Sequence, residues 1–153
     1  MQKSKGRTGI IKQIELQKSE VEKINTINKK RKDNMQDKIN NLAQRLLDYA
    51  AECIKLISKL DRNYAQKYII SQLVRASTSA GANYEEARSA ESRADFVHKI
   101  QISLKELRES LYWLKLIVRA GLVPAKDLEV LNAEANELIR IFAKSVITAK
   151  CKK

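Results

Sequence analysis

Residues 92–121 read SRADFVHKIQISLKELRESLYWLKLIVRAG, and this stretch decides the fold. Phe96, Ile100, Leu104, Leu107, Leu111, Leu114 and Val118 recur every three or four residues, the period of one buried face of an α-helix. Ser92 followed by Asp95 has capping-box spacing, with a shorter acid in the last place, and marks the helix start. Gly121 suits the residue just past its end. A second apolar set, Ile102, Trp113, Leu116 and Ala120, falls on the far side of the same helix. A helix with two apolar faces has two things to bury against. One is the core of its own domain. The other is a neighbouring subunit, with Ile102, Trp113 and Leu116 as the interface candidates, or a local cover supplied by the N-terminal segment.

Three further segments carry the same period. From about Asp37 to Leu60 the apolar positions are Ile39, Leu42, Leu46, Leu47, Ala50, Cys53, Ile54 and Ile57. Asp61-Arg62-Asn63 then reads as a short turn, with Asn63 or Asp61 as the cap. From about Tyr64 to Ala90, the residues Ile69, Leu73, Ala76, Ala80, Tyr84 and Ala87 fall within an arc of about 80°. The middle of this helix, Ala76 to Ala82, has no bulky side chain, which invites close approach of a neighbouring helix. Gly81 there costs about 1 kcal/mol against Ala, so a packing reason is expected. Pro124 suits the first turn of a last helix whose core face is Leu128, Leu131, Ala135, Leu138, Ile139, Phe142 and Val146. Short connections between such helices predict an all-α, antiparallel, up-down-up-down four-helix bundle over residues 35–150.

The 153 residues carry 30 Lys and Arg against 18 Asp and Glu, a formal net charge of +12. The charge is uneven. Residues 1–34 hold ten basic and four acidic side chains, and so half of the net charge. This basic N-terminal leader includes the run Lys29-Lys30-Arg31-Lys32. Ile10, Ile14, Val21 and Ile24 trace a thin helical stripe along it, while Asn25, Thr26 and Asn28 weaken the helix. The leader is therefore either a solvated arm or an ordered helix for nucleic acid or oligomer docking. No apolar run reaches the roughly 18 residues of a membrane span, and the leader lacks the apolar core of a secretory signal. Cys53 and Cys151 form no disulfide framework or metal spacing, as expected in a reducing cytoplasm.

Residues for catalysis are scarce. The single histidine, His98, faces away from the core stripe, and nothing places a cysteine and an orienting group beside it. No His/Cys metal set, no Glu-x-x-His pair and no phosphate-cradling Gly-rich loop occurs. The expectation is a non-enzymatic protein without a cofactor. Charge offers more. Lys105, Arg108, Lys115 and Arg119 share an arc of about 80° on the third helix, and Asp95, Glu106 and Glu109 fall outside it. Such a stripe either tracks a phosphate backbone or is a solvated face paired with acids of a neighbouring helix. With eight aromatic residues, several of them in core stripes, base stacking looks poorly supplied.

Residues 72–87, QLVRASTSAGANYEEA, together with Ser92-Arg93-Ala94-Asp95-Phe96, the run Leu104 to Ser110 and Tyr112-Trp113-Leu114, resemble the four-helix-bundle proteins encoded within intervening sequences of bacterial 23S rRNA genes. The same superfamily includes the accessory variability determinant protein of diversity-generating retroelements. The resemblance covers roughly residues 36–148 and departs at Gly81, where many relatives carry Pro, and at Ala80, where they carry an aliphatic residue. It implies a ring-like homopentamer and, for the retroelement branch, binding of nucleic acid and of a reverse transcriptase. The motif Arg75 lies away from its helix's core and would serve an interface or a phosphate, with Gln72 and Asn83 as helix-packing groups. The functional expectation is a homo-oligomer that binds RNA or DNA by backbone electrostatics through Arg75, Lys105, Arg108, Lys115, Arg119 and the leader's Lys29, Lys30, Arg31 and Lys32. The competing expectation is a protein–protein scaffold whose charge aids solubility.

Overall fold

The computed structural model describes the backbone of residues 4–58, 60 and 63–151, and the side chains among these from Gln17 onward except residues 19 and 40. Their regular structure is helical, with no strand among the described residues. Helix α1 spans Ser4–Ile57, α2 Tyr64–Arg88, α3 Arg93–Arg119 and α4 Glu129–Cys151, with a 3-10 turn at Ala125–Leu128 before α4. The chain divides into two compact units, Met1–Asn41 and Leu42–Lys153.

In the first unit the helix passes through Asn25, Thr26 and Asn28 without a break. Thr26 is accommodated because its Oγ1 donates to the Glu22 carbonyl at 2.8 Å, the back-bond that lets a threonine sit inside a helix. Described side chains from Gln17 to Lys38 are exposed, including Val21, Ile24 and Met35. The side chains of Ile10 and Ile14, like Asp61 and Arg62, lie outside the described residues.

The second unit is a four-helix bundle whose core is one cluster drawn from every helix. The α2 stripe falls as its spacing predicts: Leu73, Ala76, Ala80, Tyr84 and Ala87 are buried. In α3, Ile100, Leu104, Leu107, Leu111 and Leu114 are buried together with Ser103, Ser110 and Ile117. In α4, Ala135, Leu138, Phe142 and Val146 point inward. The phase of α1 differs from expectation. Leu47 and Ile54 are 64% and 49% exposed, and Leu46, Tyr49, Ala50, Cys53 and Leu56 form the inner face. Leu46 and Leu47 stand about 100° apart on the helix, so the core can take one of them. Tyr49 enters because its hydroxyl is satisfied inside, 2.8 Å from Ser110 Oγ, which itself donates to the Leu107 carbonyl.

Local chemistry sets the helix ends. Asn63 caps α2 in a reciprocal capping box, accepting from the Gln66 amide at 2.9 Å while its own amide donates to Gln66 Oε1. Ser92 caps α3 by accepting from the Asp95 amide at 3.1 Å. Gly121, at φ +67°, closes α3 in a Schellman motif: its amide donates to the Val118 carbonyl and that of Leu122 to Ile117. Pro124 leads into the 3-10 turn rather than directly into α4, its carbonyl accepting from the Asp127 amide at 3.0 Å. This turn buries Leu128 and brings the start of α4 beside the end of α3.

Candidate functional site

The outward face of α3 carries Lys105, Arg108, Lys115 and Arg119, all exposed. None of the four has an ion-pair partner among the described residues. Two of the three acids of the same helix are engaged elsewhere. Arg75 of α2 reaches across to Glu106 and Glu109: Nη1 lies 3.3 Å from Glu106 Oε2, Nη2 donates to Glu109 Oε1, and Nε donates to Gln72 Oε1 at 3.3 Å. The Arg75 hydrogen bond holds the Glu109 carboxyl below the usual carboxylate range, against a weaker opposing effect of burial. Lys99 pairs in the same way with Glu86. With Glu106 and Glu109 turned toward α2, the four cations make no ion pair among the described residues, and Glu129 is the acid that shares a cleft with Lys115 and Arg119.

Arg75 itself is thus held by two carboxylates. The other expected positions are as follows. Lys29, Lys30, Arg31 and Lys32 are exposed on α1, and as consecutive helical residues they splay around the axis instead of lining one side. Ile102 and Leu116 are half-buried. Trp113 is also half-buried, and packs edge-on against Tyr68 (ring centroids 6.0 Å apart, planes at 83°) and Tyr112 (5.0 Å, 78°). Its indole Nε1 donates to Glu109 Oε1 at 3.2 Å. Much of the second apolar face of α3 is therefore occupied within the chain.

Two residues of this surface escaped the sequence reading. Tyr112 stands in the gap between Arg108 and Lys115, so that Lys105, Arg108, Tyr112, Lys115 and Arg119 form one ridge with spacings of three, four, three and four. That signal was legible, because the residue numbers alone contain it. Asn132 was not legible, because it reaches the site through the 3-10 turn. It lines a cleft of about 730 Å³ between the end of α3 and the start of α4, with Tyr112, Lys115, Leu116, Arg119 and Glu129. Its Oδ1 is buried without a hydrogen-bond partner among the described residues.

Among the described residues no group of three or more His, Cys, Asp or Glu could hold a metal ion, and no helix is long and apolar enough to cross a membrane. His98 is exposed. Cys53 is buried, and burial pushes its thiol up to about 11, while Cys151 is exposed.

The chain matches the family model of the 23S rRNA-intervening sequence protein over residues 38–144. It is also similar to a crystal structure from Bacteroides thetaiotaomicron, of a protein with unknown function from the S23 ribosomal protein family. The two are 31% identical over 69% of this chain and 97% of that one, with a TM-score of 0.64. No curated protein matches. The match runs from the inner part of α1 into α4, and on it the chain belongs to the 23S rRNA-intervening sequence protein family.

Proposed function

We propose that this protein binds nucleic acid without catalysing a reaction, through backbone electrostatics centred on Lys105, Arg108, Lys115 and Arg119. The observation that carries this is the absence of any partner for the four cations among the described residues, while Glu106 and Glu109 on the same helix are both given to Arg75. Unpaired cations at helical spacing release counterions when phosphates replace them. Arg75 is left out of the binding set because two carboxylates already hold it.

The test is affinity against salt. Four phosphate contacts on a single strand give a slope of about −3 in log affinity against log salt. Changing Arg108, Lys115 and Arg119 together to Gln removes about two units of that slope. An unchanged slope moves the site elsewhere, to the leader first. No binding at low salt returns the chain to the scaffold alternative, for which exposed Leu47, Ile54 and Ile147 would be the contact residues.

The finer architecture is part of the proposal. An antiparallel up-down-up-down order is supported by the pairing of Arg75 with Glu106 and Glu109 and of Glu86 with Lys99, since partners advance on α2 as they retreat on α3. Assembly into a homo-oligomer, ring-like and pentameric, is supported by the family resemblance, with Ile102 as the proposed contact, because Trp113 packs within the chain and Leu116 lines the cleft beside α4. Light scattering decides this: a mass of five times 17.5 kDa supports the ring, and 17.5 kDa at micromolar concentration overturns self-association. A role beside a reverse transcriptase is the narrowest form, and a reverse-transcriptase frame adjoining this one is what would support it.

A further inference from the structure

We infer that Tyr112 is a stacking platform for an unpaired base, so that the ligand of the α3 ridge is a single strand of nucleic acid and not a duplex. This rests on the nucleic-acid reading above and narrows it. Tyr112 is 58% exposed in the middle of four cations, with Arg108 and Lys115 on either side. A ridge that met only the phosphates of a rigid duplex would have no use for an aromatic ring there. A single strand does use one, because its bases turn outward and every base has a face to stack.

The surroundings fit a platform. Trp113 meets the Tyr112 ring at 78°, and it is the only ring partner of Tyr112 among the described residues. A broad face of the tyrosine is therefore left without a ring against it. Trp113 is fixed in turn by Tyr68 and by its hydrogen bond to Glu109, which Arg75 clamps. Tyr112 also lines the cleft of about 730 Å³, which has room for a base. Leu116 gives it an apolar wall. Glu129 in the same cleft opposes entry of a phosphate but not of a neutral base. Base inside and phosphates along Lys105, Arg108, Lys115 and Arg119 is the arrangement these charges favour.

The experiment is fluorescence anisotropy with a labelled RNA of about ten nucleotides and its DNA counterpart, each alone and annealed to its complement, against wild type, Tyr112→Ala and Tyr112→Phe. The expected result is single-strand binding, of either strand, at least about tenfold tighter than the duplex at equal salt. Tyr112→Ala should weaken it about tenfold with the salt slope unchanged, and Tyr112→Phe should restore it. Emission of the one tryptophan, Trp113, reports the same event, falling on addition of a bromouracil-containing single strand in wild type and not in Tyr112→Ala. Binding with a steep salt slope but no preference for the single strand, or no loss in Tyr112→Ala, overturns this inference and leaves the electrostatic reading standing. No binding by any strand overturns both.

Discussion

Gly81 and Gly121 are both helix-associated glycines, and they respond oppositely to the same change. A Cβ built on Gly81 meets Leu46 Cβ at 3.7 Å, an ordinary contact, so the bare backbone that its sequence context suggested is not required for packing. Gly81→Ala should raise stability by up to about 1 kcal/mol through helix propensity, seen as a higher urea midpoint at constant m. Gly121 has open space around it but a φ of +67°, so Gly121→Ala should cost about 1 kcal/mol although nothing is touched. The C-terminal role of Gly121 was legible from its place after an apolar-periodic run. The tolerance at Gly81 was not, because it depends on which atom of α1 lies opposite. The thiols differ as sharply. Burial keeps Cys53 protonated far above neutrality and Cys151 is open to solvent, so an aromatic disulfide reagent should label one thiol per native chain and two after denaturation.

Between elements, the contact of α2 with α3 is electrostatic at its rim and apolar at its centre. Glu109 has a folded-state carboxyl held below its ordinary value. Its contribution is therefore complete above the unfolded value and fades as pH falls through the folded one. Arg75→Ala should lower stability by less than about 1 kcal/mol at neutral pH, since the pair is largely exposed. The difference from wild type should shrink as pH falls below the ordinary carboxylate range and through the lowered folded-state value, when thermal melts are compared across pH. Asn63→Ala removes one arm of the capping box and should cost about 1 kcal/mol in the same assay. The stripes of α2, α3 and α4 were readable because their apolar residues leave one arc to choose. In α1 the adjacent pair Leu46 and Leu47 offered two arcs. Tyr49, whose hydroxyl argues for solvent until Ser110 is seen beside it, settled the choice.

For the molecule as a whole, half of the net charge of +12 belongs to residues 1–34, whose described side chains bury nothing. A chain beginning at Met35 should keep the cooperative melt of the bundle within a few degrees, because the buried core cluster starts at Leu46, with Leu42 packed against it. The surface of interest was partly legible at this scale. Four cations on one arc of one helix follow from residue numbers. Their lack of partners required knowing that Arg75 draws Glu106 and Glu109 to the other side, and the cleft required the 3-10 turn that sets α4 against α3. The short connections of the bundle also govern time. Helices α2, α3 and α4 find neighbours a few residues away, at small loop-closure entropy, whereas Arg45 of α1 meets Glu134 of α4 across 89 residues. During synthesis from the N-terminus, Leu46, Tyr49 and Cys53 emerge before α2, which lies beside Leu46, and α3, which lies beside Tyr49, so the newborn chain shows the ribosome surface an uncovered greasy seam until those helices follow.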